Sequence, residues 1–201
     1  MVLGPGPYGL AHPFSGARPH GGSKGVTPGR PAVVAQMIAT SASDGTMPIN
    51  WDEAARLFAA ERSYWVATTS DDGRPHVRPV LAVWIDGRVC STTSPAARKG
   101  RNLTSSPSAA FTARVPTMDI VVEGPITWVE DSRRLQLIGE AYQDKYGWPV
   151  TVAGSAFDAP YAAPTAGHPP YRAYELAPAV AYAFGTDNNL GERSTRFRFR
   201  A

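Results

Sequence analysis

Residues 64–102 read YWVATTSDDGRPHVRPVLAVWIDGRVCSTTSPAARKGRN. β-Branched and aromatic residues run here in short segments separated by turn residues, the pattern of strands rather than helices. Residues 64–70 form the first strand, and Asp71, Asp72 and Gly73 supply the turn that ends it. Residues 75–85 form the second. Asp86-Gly87 then makes a two-residue hairpin, because a type I′ turn needs positive φ at both central positions and Gly adopts it without strain. Residues 88–93 return as the third strand, so a meander of three consecutive antiparallel strands is expected. Pro75 and Pro79 cannot donate ladder hydrogen bonds, which assigns the second strand to an edge or a bulge. Ser94-Pro95 opens a short helix, with Ser as cap and Pro at the first position, that runs to Ser105 and stops before Pro107.

The flanking sequence extends this pattern. Asn50 caps a helix with Glu53 as its capping-box partner, and Trp51, Ala54, Ala55, Leu57 and Phe58 follow helical spacing up to Arg62. Strands are expected over 108–114 and 119–129, then a helix from the cap Asp131 to Tyr146 with Leu135, Ile138, Ala141 and Tyr142 on one face. Residues 148–170 form a Pro/Ala/Gly-rich loop of the length that often serves as a functional lid. Strands over 171–176, 180–185 and 195–200 close the sheet. The expected class is mainly β with a few helices. Six or more mostly antiparallel strands make a barrel, since closure removes exposed edges.

Residues 1–46 are dominated by Gly, Pro, Ser and Ala and hold no strand or helix period, so they read as a disordered leader. Met37 and Met47 are alternative in-frame starts, which makes a start-site artefact a second reading of the same residues. The folded domain is expected over 47–201. Gly4-Pro5-Gly6-Pro7-Tyr8-Gly9 matches G-x-G-x-x-G formally, but no strand precedes it and its prolines have no N–H for a pyrophosphate.

Composition narrows the classes. A single cysteine, Cys90, excludes an intrachain disulfide, and its apolar surroundings favour a structural thiol. The formal charge of +3 and an isoelectric point near 9.2 suit a phosphorylated or carboxylated ligand without indicating a nucleic-acid binder. No window reaches the roughly 18 apolar residues of a membrane span, and no secretory signal opens the chain, so a cytoplasmic address is expected. The one Cys and four His have no zinc-ligand spacing, and neither a G-x-S-x-G elbow nor a P-loop occurs. If the chain is an enzyme, its reactive chemistry belongs to a bound cofactor.

Two segments are candidates to hold one. Arg98, Lys99 and Arg101 crowd the first turns of the helix after the third strand, where free N–H groups and the dipole favour an anion, with Asn102 and the strand-ending Thr92 and Thr93 alongside. Arg98 supplies a planar fork and Lys99 a mobile point charge. A solvated basic helix face is the competing reading. His76, in the Pro-containing strand, faces either a ligand or simply a turn. The terminal Thr195-Arg196-Phe197-Arg198-Phe199-Arg200 alternates strictly, and reads as a closing strand with Phe inward in preference to a nucleic-acid surface.

Four segments, in order, are Asp72-Gly73-Arg74-Pro75-His76-Val77, Ser94 through Arg98-Lys99-Gly100-Arg101-Asn102-Leu103, Asp144-Lys145-Tyr146-Gly147-Trp148-Pro149, and Thr195-Arg196-Phe197-Arg198-Phe199, with Ala163-Pro164-Thr165-Ala166-Gly167 between the last two. By these, residues 47–199 resemble the flavin/deazaflavin oxidoreductases of the pyridoxamine 5′-phosphate oxidase-like superfamily, which share the FMN-binding split barrel. The resemblance is closer to the branch that uses coenzyme F420, a 5-deazaflavin. It implies that Arg98 and Lys99 hold the cofactor phosphate and that the ring lies along His76, Arg78, Pro79, Val80, Thr92 and Thr93. It also implies a homodimer with the cofactor cleft between subunits, and hydride transfer to or from a small reducible molecule on which Tyr161 and Tyr171 stack. Phe197 departs from the Trp common in related sequences. An FMN-dependent flavoprotein and a non-catalytic cofactor-binding or storage protein are the alternatives.

Overall fold

The computed structural model describes residues 32–38, 47–162, 168–191 and 193–200. The first helix, α1 (Trp51–Ala60), begins where expected: the Asn50 side chain accepts from the amides of Asp52 at 2.8 Å and Glu53 at 3.2 Å. After it come β2 (Tyr64–Thr69) and β3 (Pro75–Val80), paired antiparallel. Residues 75–85 are not one strand. The chain breaks at Leu81, and β4 (Ala82–Ile85) pairs instead with β5 (Arg88–Thr93) in a different part of the sheet. The hairpin between them has the expected chemistry, with φ of 51° at Asp86 and 76° at Gly87. The break replaces the simple meander because the Leu81 carbonyl accepts from Ser91 Oγ at 2.9 Å and Tyr142 Oη at 3.2 Å, side chains the local pattern does not reveal.

The next helix is also shorter than its expectation. α2 spans Arg98–Ser105 and is preceded by Ala97, with no side-chain cap. Residues 94–97 form a turn closed by the Ala97 amide on the Ser94 carbonyl, 3.0 Å. Arg98 is therefore the first helical residue, and the Ser94 cap is not made. Gly100 lets the helix lie on this turn, since a Cβ there would sit 2.5 Å from the Ser94 carbonyl oxygen.

The remaining elements are β6 (Ser108–Val115), β7 (Met118–Trp128), α3 (Ser132–Tyr146), β8 (Thr151–Ala153), β9 (Ala156–Asp158), β10 (Arg172–Leu176), β11 (Val180–Gly185) and β12 (Ser194–Phe199). Asp131 caps α3 by accepting from the Arg134 amide at 2.8 Å, and Gly147 ends it at φ 66°. All strand pairs are antiparallel. β7 pairs with β6 along one edge and with β11 and then β10 along the other, so this 11-residue strand curves the sheet into the mainly β split barrel expected.

Two further expectations change. Val33–Met37, placed in the disordered leader, forms β1 and pairs with β12 from Val33↔Phe199 to Met37↔Thr195. This pairing joins positions some 160 residues apart, which local composition cannot register; the leader's other positions, 1–31 and 39–46, lie outside the described residues. The stretch 148–170 is not an open loop as far as it is described. It carries the β8–β9 hairpin and plants Trp148 (3% exposed) and Phe157 (0%) in a core. Residues 163–167 lie outside the described set.

There are two apolar clusters. The barrel interior holds Tyr64, Val66, Phe111, Ile120, Val122, Tyr174 and Phe197, with Phe58 of α1 at one end. A second cluster, between α3 and the sheet, holds Val83, Cys90, Leu135, Ile138, Tyr142, Trp148 and Tyr171. Gly100→Ala is expected to destabilise the fold by about 1–3 kcal/mol, read as a lower denaturant midpoint; an unchanged midpoint would mean that the turn at 94–97 yields freely.

Candidate anion-binding site

β5 delivers the chain to the turn at 94–97, and the turn delivers it to α2. That geometry brings Lys99 back over the end of β5. Its Nζ is buried, with 5% of the residue exposed, and donates to the Thr92 carbonyl at 3.3 Å. An ammonium has three donors. No carboxylate among the described residues pairs with it, so a buried positive charge is left with one neutral acceptor. Burial alone pulls its pKa from the ordinary 10.5 to about 8.

The neighbouring groups add to the positive field. His76 of β3 is 8% exposed and its pKa is lowered, first by burial and then by the charges of Arg78, Arg98 and Lys99. The imidazole is therefore neutral at pH 7 and carries one donor and one acceptor. Arg98 is exposed at the start of α2 and forms no ion pair among the described residues. Arg78 is exposed, its Nη1 on the Val77 carbonyl at 2.9 Å. Arg74, by contrast, is engaged by Asp72 (Nε to Oδ2, 2.7 Å), which holds that carboxyl down to about 2.

A hydrogen-bonded chain fixes the frame. Asn102 Nδ2 donates to Thr68 Oγ1 at 3.0 Å, and Thr68 Oγ1 donates to the His76 carbonyl at 3.4 Å, all three residues being buried. α2, β2 and β3 are thus tied at the residues beside Lys99. Thr68 was not singled out from the sequence. Its signal is a polar residue at the inward position of β2 in line with Tyr64 and Val66.

The expected site residues divide. Arg98, Lys99, Asn102, His76, Arg78 and Thr92 gather at this corner, and Val80 (8% exposed) lies on the same face of β3 as His76. Pro79 does not share that face: strand alternation places it beside the exposed Val77 on the other side. Thr93 is fully buried and spends its hydroxyl on the Ser94 carbonyl, 3.2 Å. Tyr171 is 0% exposed with its ring 5.4 Å from that of Trp148, so it is a core residue and cannot stack on a substrate from solvent. Tyr161 is 54% exposed, with its hydroxyl on the Gly147 carbonyl at 3.2 Å. The corner holds no cysteine, serine nucleophile or carboxylate pair, and no metal-ligand cluster occurs among the described residues. What it offers is an anion cradle beside a neutral imidazole.

The family model of pyridoxamine 5′-phosphate oxidase matches residues 51–184, from α1 to the end of β11. The chain belongs to that family. Among solved structures, a conserved hypothetical protein of Mycobacterium tuberculosis superposes with a TM-score of 0.54 at 18% identity, covering 72% of this chain and 90% of that one. PhzG from Burkholderia lata 383, in complex with tetrahydrophenazine-1-carboxylic acid, gives 0.50 at 17% identity over 75% and 87%. A FAD-binding protein of Mesorhizobium loti gives 0.50 at 12% over 83% and 98%. At these identities the likeness is of fold. No curated protein matches the chain.

The lowered pKa of Lys99 has a direct consequence for stability. Below about pH 8 the ammonium is charged in both the folded and unfolded chain, and folding carries its full desolvation cost. Between about 8 and 10.5 the unfolded chain holds a proton that the folded chain has released, so stability rises with pH. The ligand-free protein is expected to gain up to about 3 kcal/mol from Lys99 across that window, with Lys145, also lowered to about 8, adding a further part. Denaturant midpoints from pH 7 to 10 measure it, and Lys99→Met is expected to remove the Lys99 share; an equal slope in the variant would refute the burial cost.

Proposed function

We propose that this protein binds coenzyme F420 and transfers a hydride between its deazaflavin ring and a small reducible molecule. The observation that carries the reading is the buried Lys99 ammonium with no counter-charge among the described residues, beside Arg98 and His76. A buried cation without a partner is costly unless an anion completes it, and a cofactor phosphate does so through charge-assisted hydrogen bonds. Arg78 and Arg98, both exposed, add their charges at His76 to that of the buried Lys99. The surplus favours a ligand with further negative groups beyond one phosphate, as the phosphodiester and carboxylate tail of F420 provides. Family membership and the FAD-binding structural neighbour support a flavin-type ligand in general.

The bound deazaflavin supplies the hydride chemistry. The protein's own groups bind, orient and exclude water. Lys99 and Arg98 hold the phosphate, and neutral His76 offers a hydrogen bond at the ring's polar edge without adding charge. Val80 supplies apolar surface on the same face. Orientation of this kind accounts for the lack of an acid–base pair at the corner.

Titration of the purified protein with F420 and with FMN tests the reading. F420 binding is expected, and the double variant Arg98→Ala, Lys99→Ala is expected to weaken it by about 3–5 kcal/mol. Binding of FMN alone would assign the alternative cofactor. Bound, reduced F420 that no quinone, enone or tetrapyrrole oxidises would favour a storage role.

A homodimer is part of the same proposal. Pro79, Trp65, Thr112, Val121 and Tyr182 form one row across the outer face of the barrel, and Trp65 (49%), Val77 (45%) and Phe184 (37%) on that face are exposed. These exposed apolar side chains on one sheet face support a second copy of the chain as their cover. Trp65→Glu is expected to shift the protein from dimer to monomer in sedimentation equilibrium, and a monomeric wild type would remove this part of the proposal.

A further inference from the structure

The motif Asp144-Lys145-Tyr146-Gly147 lies at the end of α3, and the Lys145 and Tyr146 side chains reach the break between β3 and β4. At that break the backbone leaves one part of the barrel for another. Its polar groups are held by side chains. The Leu81 carbonyl accepts from Ser91 Oγ and Tyr142 Oη, at 2.9 and 3.2 Å. The Ala82 amide donates to Tyr146 Oη at 3.2 Å, and the Ala82 carbonyl accepts from Tyr146 Oη at 2.8 Å and from Lys145 Nζ at 3.1 Å.

Lys145 uses all three of its donors. Besides Ala82, Nζ reaches the Ala59 carbonyl at the end of α1 and Tyr64 Oη at the start of β2, both at 2.8 Å. Tyr64 Oη in turn donates to the Phe58 carbonyl. The ammonium also lies 4.7 Å from the centre of the Tyr64 ring and 5.5 Å from that of Tyr146. One side chain therefore joins α1, β2, β4 and α3. A side chain that only covered apolar surface would need no such saturation.

The location gives this knot its consequence. Val80 ends β3 immediately before the break, with His76 and Arg78 on the same face of that strand. On the other side, Ser91 grips Leu81 one residue before Thr92, the residue that accepts from Lys99. The break is thus the mechanical link between the two strands that flank the anion site. We propose that Lys145, with Tyr146, is a positioning residue for that site: by clamping Ala82 next to the Leu81 break it sets the spacing between His76 and Arg78 on β3 and Thr92 on β5 with Lys99 on α2. The cofactor consequence rests on the function proposed above; the clamp itself does not.

The test is Lys145→Met in the full chain, which keeps the apolar stem and removes the three donors. Amide hydrogen exchange is the ligand-free readout. Exchange in residues 76–83 and 89–93 is expected to rise by about tenfold, while β7, β11 and β12 stay near wild type. F420 and FMN are then titrated, and the affinity for whichever the wild type binds is expected to fall by about tenfold. If Lys145→Met does not fold, Tyr146→Phe, which removes only the hydroxyl on Ala82, is measured in the same way. Unchanged exchange at 76–83 in a folded variant, or a uniform rise over every strand, would overturn the proposal. If the wild type binds neither cofactor, the cofactor reading fails while the exchange pattern still decides the clamp.

Discussion

A chain that passes from one part of a split barrel to another must give up its ladder hydrogen bonds at the crossing, and buried backbone groups left without partners are expensive. In this protein the crossing is at Leu81–Ala82, and α3 meets the cost with Lys145, Tyr146 and Tyr142, joined by Ser91. Much of the architecture follows from that single constraint. It turns what reads as one long strand into β3 and β4, and it keeps α3 against the sheet over the second apolar cluster. It also leaves β3 and β5 as neighbouring rims of one corner.

That corner concentrates positive charge that the fold does not neutralise. Folding bears the desolvation of Lys99 and gains no ion pair in return, which is an odd expenditure for a purely structural lysine. Lys145 is also without a carboxylate among the described residues but uses all three donors, while Arg114 pairs with Asp119 and Arg134 bridges Asp86 and Glu175. The contrast gives Lys99 its meaning. In the function proposed above, a bound anion would recover the energy that Lys99 costs the ligand-free state.

Much of the fold and of the candidate site was legible because it is local. Asp86-Gly87, the Asn50 and Asp131 caps and the Arg98-Lys99 pair are each read from a few adjacent residues, since turn and cap chemistry depends on immediate neighbours. Pro79 and Tyr171 lie apart from the corner for complementary reasons. Pro79 is adjacent in sequence to Arg78, but strand alternation turns it to the opposite face. Tyr171 follows a proline-rich loop that suggests exposure, yet its ring is packed against Trp148 beneath α3. Thr68 was missed because its role depends on Asn102, 34 positions away.

The amino-acid sequence by itself determined the strand-rich class, most helix caps, the hairpin at Asp86-Gly87 and the identity of the basic pair, because all of these are set by side chains within one or two turns of the chain. Only the tertiary structure decided that Val33–Met37 belongs to the sheet, that the chain breaks at Leu81, and that the Lys99 ammonium is buried with the Thr92 carbonyl and no carboxylate among the described residues. Those outcomes depend on contacts between residues far apart in sequence, whose geometry exists only after the barrel has closed.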